Sequence, residues 1–579
     1  MAFPKLWLLV RPMVVYLPYG DGLVQVLHLF PQAVQFLSYA FLLVPSTPYL
    51  ISYDSVMRIK SLKLCTILNA LATRYSSQRP LCRQPLDALP AGTNFSKGVY
   101  TMELSSSLEK NIERIESIFP IPKSFDIVTR NLLLGETKAY WIGINGFCRV
   151  ELLQQIFSDL QNPLYMNDSK IEDIERYLNA KIGYAQASLS SSWEDITRNI
   201  LSGPSVLFID GFSQAIVIDV RTYPARNVSE PDTERVTLGA RDGFVETMLF
   251  NTNLIRRRIR SPRLTFEMTS IGKESKTDVA ITYIDSNVNR DLLAKLKQAL
   301  NSLAVTSLTM GAKSLEELLV KKRWFHPLPC MHYTERPDVA CSFLMEGHIV
   351  LIVDNSPSVL ILPCTIFQFM QSPEDYYKSP VVGTYFRLIR FMCIPVSLIL
   401  MPLFLLLTVY FPGFSEKWGI LSSESLPGPT IIFYVFAVEF LLDLFKYSAS
   451  VSSNRFSGSL SIIGGLIIGD IAVELNWASI EILFYAAVTL LTSLSLASIE
   501  FGDGLRVYRL FLVITTALFG LWGFLGGIIL VLFSVITTPV FGGMSYFWPL
   551  YPFCWKALRT LLLRCPTASA QPSKVWKHH

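Results

Sequence analysis

The stretch FMCIPVSLILMPLFLLLTVYF, residues Phe391–Phe411, contains no charged side chain. A second uncharged stretch runs from Leu510 to Trp555. A helix that crosses the hydrocarbon core of a membrane needs about 20 apolar residues, and both stretches reach that length. We therefore predict that residues 381–556 form an α-helical, multi-pass transmembrane domain.

The composition of the whole chain agrees with a membrane protein. Only 17% of its 579 residues are charged, whereas soluble domains average about 25%. The net charge of +5 is mild for this length, so we do not expect nucleic-acid binding. The candidate membrane segments are 388–411, 430–446, 459–476, 480–499 and 509–538.

Four acidic residues interrupt the segments between the uncharged stretches: Glu439, Asp443, Asp470 and Glu474. An ionised carboxylate in hydrocarbon costs at least ~2.5 kcal/mol, so such residues face water or a partner. Residues four apart share one helix face, and each of the two pairs has this spacing. Acidic pairs around the centre of a symmetric ring of subunits attract cations, which makes these four residues candidate pore or assembly acids.

Two other interpretations of the acids stay open. Segment 430–446 is also typical of an interfacial amphipathic helix, whose acids meet water or pair with Lys446 and Arg455. The acids can also pair with basic residues of a neighbouring subunit.

Basic residues near the ends of the segments predict the topology. Lys378, Arg387 and Arg390 place the side that precedes the first span in the cytoplasm. The tail 557–579 is basic too, so we expect it on the same side, which requires an even number of crossings. A re-entrant stretch at 541–553, or a short segment that dips without spanning, would give that parity.

Residues 102–380 predict an α/β soluble domain made of two similar subdomains, with mixed sheets and helices. Lys138–Asn145 (KAYWIGIN) is typical of a buried strand and precedes a helical pattern, and Thr277–Asp285 (TDVAITYID) repeats this arrangement. Asp210-Gly211 and Asp354-Asn355 follow later strands of the two copies and are typical of hairpin turns. We place the subdomains at 102–225 and 263–380.

Residues 1–101 form an extension that differs from the rest. The first 50 residues are apolar but interrupted by prolines and glycines, without the layout of a signal peptide. Lys97-Gly98-Val99 can be encoded by a purine-rich ribosome-binding site, so we expect that translation starts at Met102. The alternative is a real additional membrane segment within 23–45.

A charged connector, 226–262, joins the two subdomains. It contains Arg241 and Glu246, and it ends in Arg256, Arg257 and Arg258, at the end of a predicted helix where the helix dipole favours cations. These residues are candidates for inter-subunit contacts or for binding an anionic ligand or lipid headgroup. The alternative is salt bridges, in this subunit or a neighbouring one, to acidic residues of the same connector: Glu230, Asp232, Glu234 and Glu246.

The sequence contains no recognisable catalytic constellation. Its nine cysteines include no CxxC pair, and its six histidines lie in no metal-binding pattern. His332 and His348 lie beside candidate strands, and we expect them to be structural. We therefore expect no catalytic site, no metal, no cofactor and no enzymatic activity.

Five stretches carry a resemblance to a known family. The longest is EPDTERVTLGARDGFVETMLFNTNLIRRRIRSPRL (230–264). The others are SKTDVAITYI (275–284), YTERPDV (333–339), EGHIVLIVDNSPSV (346–359) and SPEDYYKSPVVGTYFRLIRF (372–391). Together they resemble the GerA family of spore germination proteins, the A subunits of germinant receptors, and most closely its stage V sporulation protein AF branch. The resemblance covers roughly residues 120–560.

The resemblance implies a protein of the spore inner membrane with a cytosolic N-terminal domain. It implies assembly into a homo-oligomer, a pentamer, that forms an ion channel, or an accessory that amplifies ion release during germination. The implied partners are membrane lipid and other germination membrane proteins, including a small one. Nutrient recognition belongs mainly to a separate subunit in this family.

A different class of function is a membrane-anchored scaffold that assembles with germinant receptors without conducting ions. A secondary transporter is a third possibility. Ion conductance in liposomes separates the first two, and concentrative uptake of a substrate would indicate the third.

Overall fold

The computed structural model of this chain describes residues 103–161, 171, 173–223, 238–320, 326–417, 427–451 and 480–564. The extension 1–101 lies outside these residues, so the start at Met102 stays a prediction. Asp470 and Glu474, the segment 459–476, Arg455 and the connector acids Glu230, Asp232 and Glu234 also lie outside them.

The first half of the soluble domain is built on a five-stranded sheet with the order β1-β2-β4-β5-β3. Its strands are β1 (Ile127–Leu134), β2 (Thr137–Ile144), β3 (Ala187–Ser190), β4 (Ser205–Ile209) and β5 (Ala215–Ile218). Its helices are α1 (Leu108–Ile118), α2 (Val150–Leu160), α3 (Ile174–Lys181) and α4 (Trp193–Ser202). The sheet carries apolar cores on both faces because β2, β4 and β5 are almost wholly buried.

The second half repeats this sheet with the order β6-β7-β9-β10-β8. Its strands are β6 (Leu264–Ile271), β7 (Thr277–Ile284), β8 (His332–Thr334), β9 (Ile349–Val353) and β10 (Val359–Leu362). Its helices are α5 (Met248–Arg258), α6 (Arg290–Asn301), α7 (Ala312–Leu319) and α8 (Pro337–Glu346). The strand order corresponds position by position, as expected for two similar subdomains.

The correspondence extends to individual hydrogen bonds. In the first half, the side chain of Asn111 accepts from the amide of Ser105 (3.1 Å) and donates to its carbonyl (2.7 Å). In the second half, Asn251 makes the same two bonds to Val245, at 2.8 and 2.6 Å. Unrelated α/β units have no reason to share such a detail, so it supports a duplication.

The turns that were predicted as hairpins also cap helices. Asp210, in the turn between β4 and β5, accepts from the amide of Leu108 at the start of α1 (3.0 Å). Asp354, between β9 and β10, accepts from the amide of Met248 at the start of α5, also at 3.0 Å. A carboxylate at a helix N-terminus satisfies an otherwise unpaired backbone donor and interacts favourably with the helix dipole.

The prediction of mixed sheets was wrong, because every pairing between the described strands is antiparallel. Strands that alternate with helices are typical of parallel crossover units. Short hairpins instead join β1 to β2 and β4 to β5, and a tight connection forces neighbouring strands to run in opposite directions.

The remaining described residues form a helical bundle. Its helices are α9 (Glu374–Tyr377), α10 (Pro380–Tyr410), α11 (Pro412–Lys417), α12 (Gly428–Val451), α13 (Ile480–Leu494), α14 (Ile499–Ile536) and α15 (Trp555–Leu562). By length and composition, α10 and α14 are the two described helices that could cross a membrane. The helix α12 is longer than the predicted segment 430–446.

The helix α14 folds back on itself at Gly520. This glycine has φ 57° and ψ −132°, which no helical residue adopts. The hydroxyl groups of Tyr508 and Ser534 lie 2.8 Å apart, whereas 26 residues of straight helix span about 39 Å. The residues 499–519 and 521–536 are therefore two antiparallel arms. Tyr410, at the end of α10, closes the turn by donating a hydrogen bond to the carbonyl of Ala517 (2.8 Å).

This fold-back returns the chain to the soluble domain. After α14, Tyr546 donates to the carbonyl of Pro329 (3.0 Å), and its own carbonyl accepts from the amide of Ile366 (3.0 Å). The segment 541–553, which we considered as a re-entrant stretch, thus contains a residue packed on the soluble domain. The chain reverses at Gly520 instead, and the bundle begins and ends beside the soluble domain.

The hairpin makes a direct prediction for cross-linking. Cysteines at Thr515 and Gly527 should form a disulfide in the full-length protein under mild oxidation. A Cβ atom at Gly527 would lie 3.7 Å from the Cβ atom of Thr515, which is the separation that a disulfide requires. Mass spectrometry of the linked peptides measures the yield. The control pairs Thr515→Cys with Gly526→Cys, a neighbour whose Cβ atom would meet nothing within 4 Å, and should cross-link poorly. Equal, low yields for both pairs would indicate one straight helix.

Candidate functional site

The centre of the bundle contains a buried ion pair between Glu439 of α12 and Arg509 of α14. Arg509 donates from Nη2 to Oε2 of Glu439 (2.8 Å) and from Nε to Oε1 (3.0 Å). Glu439 is completely buried and Arg509 is 4% exposed. Arg509 also donates from Nη1 to the carbonyl of Ser397 on α10 (3.2 Å). One guanidinium therefore connects three helices.

Two further ion pairs continue along the same helices. Arg506 Nε lies 2.7 Å from Oδ1 of Asp443, and Lys446 Nζ lies 2.5 Å from Oδ1 of Asp503. Together with the pair Glu439–Arg509 they form three successive contacts, which we call the charge ladder. Exposure increases along it, since the side chain of Asp503 is 52% exposed. The helices α12 and α14 run antiparallel because the residue numbers rise on one and fall on the other.

The charge ladder ends beside the soluble domain. Lys313 of α7 lies 3.4 Å from the carboxylate of Glu500, at the start of α14, and 2.8 Å from the buried Glu316. Burial pulls the pKa of Lys313 down, but these two carboxylates outweigh it and raise the pKa above its usual value. Nearby, the ring of Phe369 stacks on Phe501 with centroids 5.9 Å apart. The contact combines charge with apolar packing.

Two of the predicted acids, Glu439 and Asp443, are therefore paired with basic residues of the same chain. Glu439 and Asp443 face Arg509 and Arg506, which the sequence analysis did not consider as their partners. Lys446, considered as a partner of these acids, pairs with Asp503 instead. The spacing of the charged residues is the signal that could have identified these pairs. Arg506 and Arg509 are three residues apart on α14, and Glu439 and Asp443 are four apart on α12, so each pair lies on one helix face. Asp470 and Glu474 lie outside the described residues.

A second buried ion pair joins the two halves of the soluble domain. Arg256 donates from Nε to Oδ2 of Asp126 (2.7 Å), and both side chains are fully buried. The same guanidinium donates to the carbonyls of Ser261 (2.9 Å) and Leu264 (3.0 Å). Asp126 precedes β1, whereas Leu264 begins β6. Arg256 thus connects the two halves, with an acid that the sequence analysis did not consider.

The other predicted connector residues have separate environments. Arg257 lies over the ring of Tyr223, 4.6 Å from its centroid, and Arg258 contacts both carboxylate oxygens of Asp242 at 2.5 and 2.6 Å. Arg241 and Glu246 are exposed. The backbone carbonyl of Glu246 accepts from the amide of Asn355 (2.8 Å). The structure does not bring these residues into one site.

The histidines expected to be structural are buried beside the segment that leads into the bundle. His348 Nδ1 lies 2.9 Å from the carbonyl of Pro363, and its Nε2 lies 3.3 Å from Nε2 of Gln368. His332 packs between Phe343 and Phe369. Burial lowers the pKa of His332 to about 4 and that of His348 to about 3, so both are neutral at pH 7.

Removal of the buried carboxylate at Asp126 should strongly destabilise the soluble domain. Asp126→Asn leaves Arg256 charged and unpaired, which costs about 3–5 kcal/mol. The matched control is Asp242→Asn, because its contact with Arg258 is partly exposed and contributes about 1 kcal/mol or less. Thermal unfolding of the detergent-purified protein measures both. Equal shifts in melting temperature for the two variants would contradict the assignment.

Acid should destabilise the protein through the buried histidines. Unfolding restores a pKa near 6.5, so the unfolded chain binds more protons than the folded chain between about pH 4 and pH 6.5. Stability is therefore complete above this range and falls as the pH falls, by about 2 kcal/mol per histidine at pH 5. His332→Phe keeps the aromatic packing and should lose about 2 kcal/mol less between pH 7 and pH 5. The same pH dependence in both proteins would exclude His332.

Comparisons with known proteins agree on one family. Residues 113–574 match the family model described as Bacillus/Clostridium GerA spore germination protein. The stage V sporulation protein AF of Bacillus subtilis (strain 168) is 34% identical over 480 residues, which cover 80% of this chain and 94% of that protein. The spore germination protein KA of the same strain is 27% identical over 470 residues, covering 80% of this chain and 85% of that protein.

A solved structure is also similar to part of this chain. It is the N-terminal domain of the A subunit of the Bacillus megaterium spore germinant receptor GerK3, which is 24% identical with a TM-score of 0.34. The match covers 45% of this chain and 96% of that domain.

Proposed function

This chain belongs to the GerA family of spore germination proteins, and we propose that it acts in the spore inner membrane to release ions during germination. The long apolar helix α10 and the apolar hairpin formed by the two arms of α14 support a membrane location. We propose that the soluble domain is cytosolic, because Lys378, Arg387 and Arg390 precede the apolar run of α10 and basic residues favour that side. No enzymatic activity forms part of this proposal.

We propose that the chain is a subunit, or an amplifying accessory, of an oligomeric ion channel, with a pentamer as the family resemblance implies. The charge ladder is the observation that carries this proposal. Charges are expensive inside a membrane and usually serve conduction or gating. Here they lie where α12 and α14 meet, and the ladder ends near Lys313 of the soluble domain.

The resting conformation in this proposal is closed. Glu439 cannot attract a cation while Arg509 holds its carboxylate at 2.8 Å. A movement of the soluble domain that displaces the start of α14 also displaces Arg506 and Arg509, because they lie on the same arm. Conduction then requires that the pairs separate and expose their carboxylates to a hydrated lumen formed between subunits. The other germination membrane proteins, including a small partner, would act on this equilibrium.

Release of ⁸⁶Rb⁺ from liposomes containing the protein tests this mechanism. Arg509→Gln leaves Glu439 buried without its partner, so the closed state should weaken and ion release should rise several-fold. The charge-reversed double variant Glu439→Arg/Arg509→Glu restores an ion pair and should return release towards the wild-type value. Asp503→Asn removes a half-exposed partner and should have a small effect.

A non-conducting scaffold is the alternative, and the pairing of Glu439 within its own chain favours it. A scaffold has no use for free carboxylates in its bundle, and its apolar helices serve as an anchor. No ion release from wild-type protein or from Arg509→Gln, together with retained binding to germinant receptor subunits, would support the scaffold and contradict the channel.

A further inference from the structure

Three arginines converge where the soluble domain meets the first long helix of the bundle. Arg387 and Arg390 of α10 both contact one carboxylate oxygen of Asp375, with Arg387 Nε at 3.5 Å. Arg564, just after α15, donates from Nη2 to the carbonyl of Tyr376 (2.6 Å). Its backbone amide donates to the hydroxyl of Thr384 (3.1 Å). The helices α9, α10 and α15 thus surround a cluster of guanidinium groups.

This cluster has donors without acceptors. Arg387 is fully buried, and its Nη1 donates to the carbonyl of Leu561 (2.9 Å). Within the described part of the chain, Nη2 of Arg387 and Nε of Arg564 have no acceptor. A buried donor without a partner destabilises a protein. The arrangement therefore suits a ligand that brings acceptor oxygens.

The charge balance of the cluster favours an anion. Arg387 and Arg390 share the carboxylate of Asp375, and Arg564 adds a third positive charge. Glu374 is paired with Lys378 at 2.9 Å. The carboxylate of Glu346 also acts on Arg387, but this residue is exposed. Water and salt screen the charge of an exposed carboxylate, so Glu346 compensates little.

An apolar stripe leads away from the cluster along α10. Val382, Phe386 and Ile389 are 41%, 39% and 37% exposed. Their spacing of four and three residues places them on one helix face. Phe386 and Arg390 are four residues apart and are therefore neighbours on the helix surface. The helix continues into the uncharged run that begins at Phe391. The basic cluster thus lies at the level where a membrane's headgroups meet its hydrocarbon.

We propose that this cluster binds the phosphate of an anionic phospholipid, whose acyl chains lie along the exposed stripe of α10. Guanidinium groups bind phosphate through paired, charge-assisted hydrogen bonds, and basic pockets beside cytoplasmic helix ends bind lipid headgroups. The proposal rests on the membrane location of the bundle but not on ion conduction. The lipid would secure α10 and α15 to each other at the membrane surface.

Native mass spectrometry of the full-length protein in detergent tests this site. The purified protein is titrated with phosphatidylglycerol and, separately, with phosphatidylcholine. Wild-type protein should retain phosphatidylglycerol preferentially, and Arg564→Gln should weaken its binding about fivefold or more. Arg387→Gln should weaken it further if this variant folds. Arg130→Gln, which removes an exposed arginine on β1, is the control and should bind as the wild type does.

Competition with inorganic phosphate shows whether the cluster binds a whole lipid or only a phosphate group. It should not displace phosphatidylglycerol at millimolar concentration, because it lacks acyl chains. Displacement would assign the cluster to free phosphate and overturn the lipid site. Equal retention of both lipids, or unchanged binding by Arg564→Gln, would overturn it as well. These measurements do not depend on ion release, so the proposal of a lipid site and the proposal of a channel can be refuted separately.

Discussion

The buried pair between Glu439 and Arg509 is the constraint on which the helical bundle depends. Each charge alone would be prohibitive among apolar helices, and removing one partner of such a pair typically costs about 3–5 kcal/mol. The bonds of Arg509 to Glu439 and to the carbonyl of Ser397 therefore fix the register of α10, α12 and α14. Apolar packing alone would specify that register weakly, because leucine and phenylalanine tolerate sliding and repacking.

The soluble domain follows the same principle with the pair Asp126–Arg256. This pair connects two halves that are otherwise complete, each with its own sheet and apolar cores. Both buried pairs lie between structural units, and both join residues far apart in the sequence. Hydrophobic contacts bring structural units together without specifying their arrangement. A buried charge specifies that arrangement, because it is stable only beside its partner.

Much of the soluble fold could be predicted from sequence because its signals are local. The strand patterns at Lys138–Asn145 and Thr277–Asp285 and the turns at Asp210 and Asp354 each lie within a few residues. The fold-back at Gly520 could not be predicted in this way, since hydropathy measures apolarity and not direction. The partners of Glu439 and Arg256 could not be predicted either, because each partner is more than 60 residues away. The sequence singles out Glu439 as a charge among apolar residues, but it does not show which basic residue pairs with it.

The most direct test of this account is a cryo-electron microscopy structure of the assembled protein in a lipid bilayer at rest. We expect the carboxylate of Glu439 within hydrogen-bond distance, about 3 Å, of Arg509 in the same chain. The two arms of α14 should lie side by side. A carboxylate of Glu439 that points into a water-filled central lumen, with Arg509 turned elsewhere, would contradict the account.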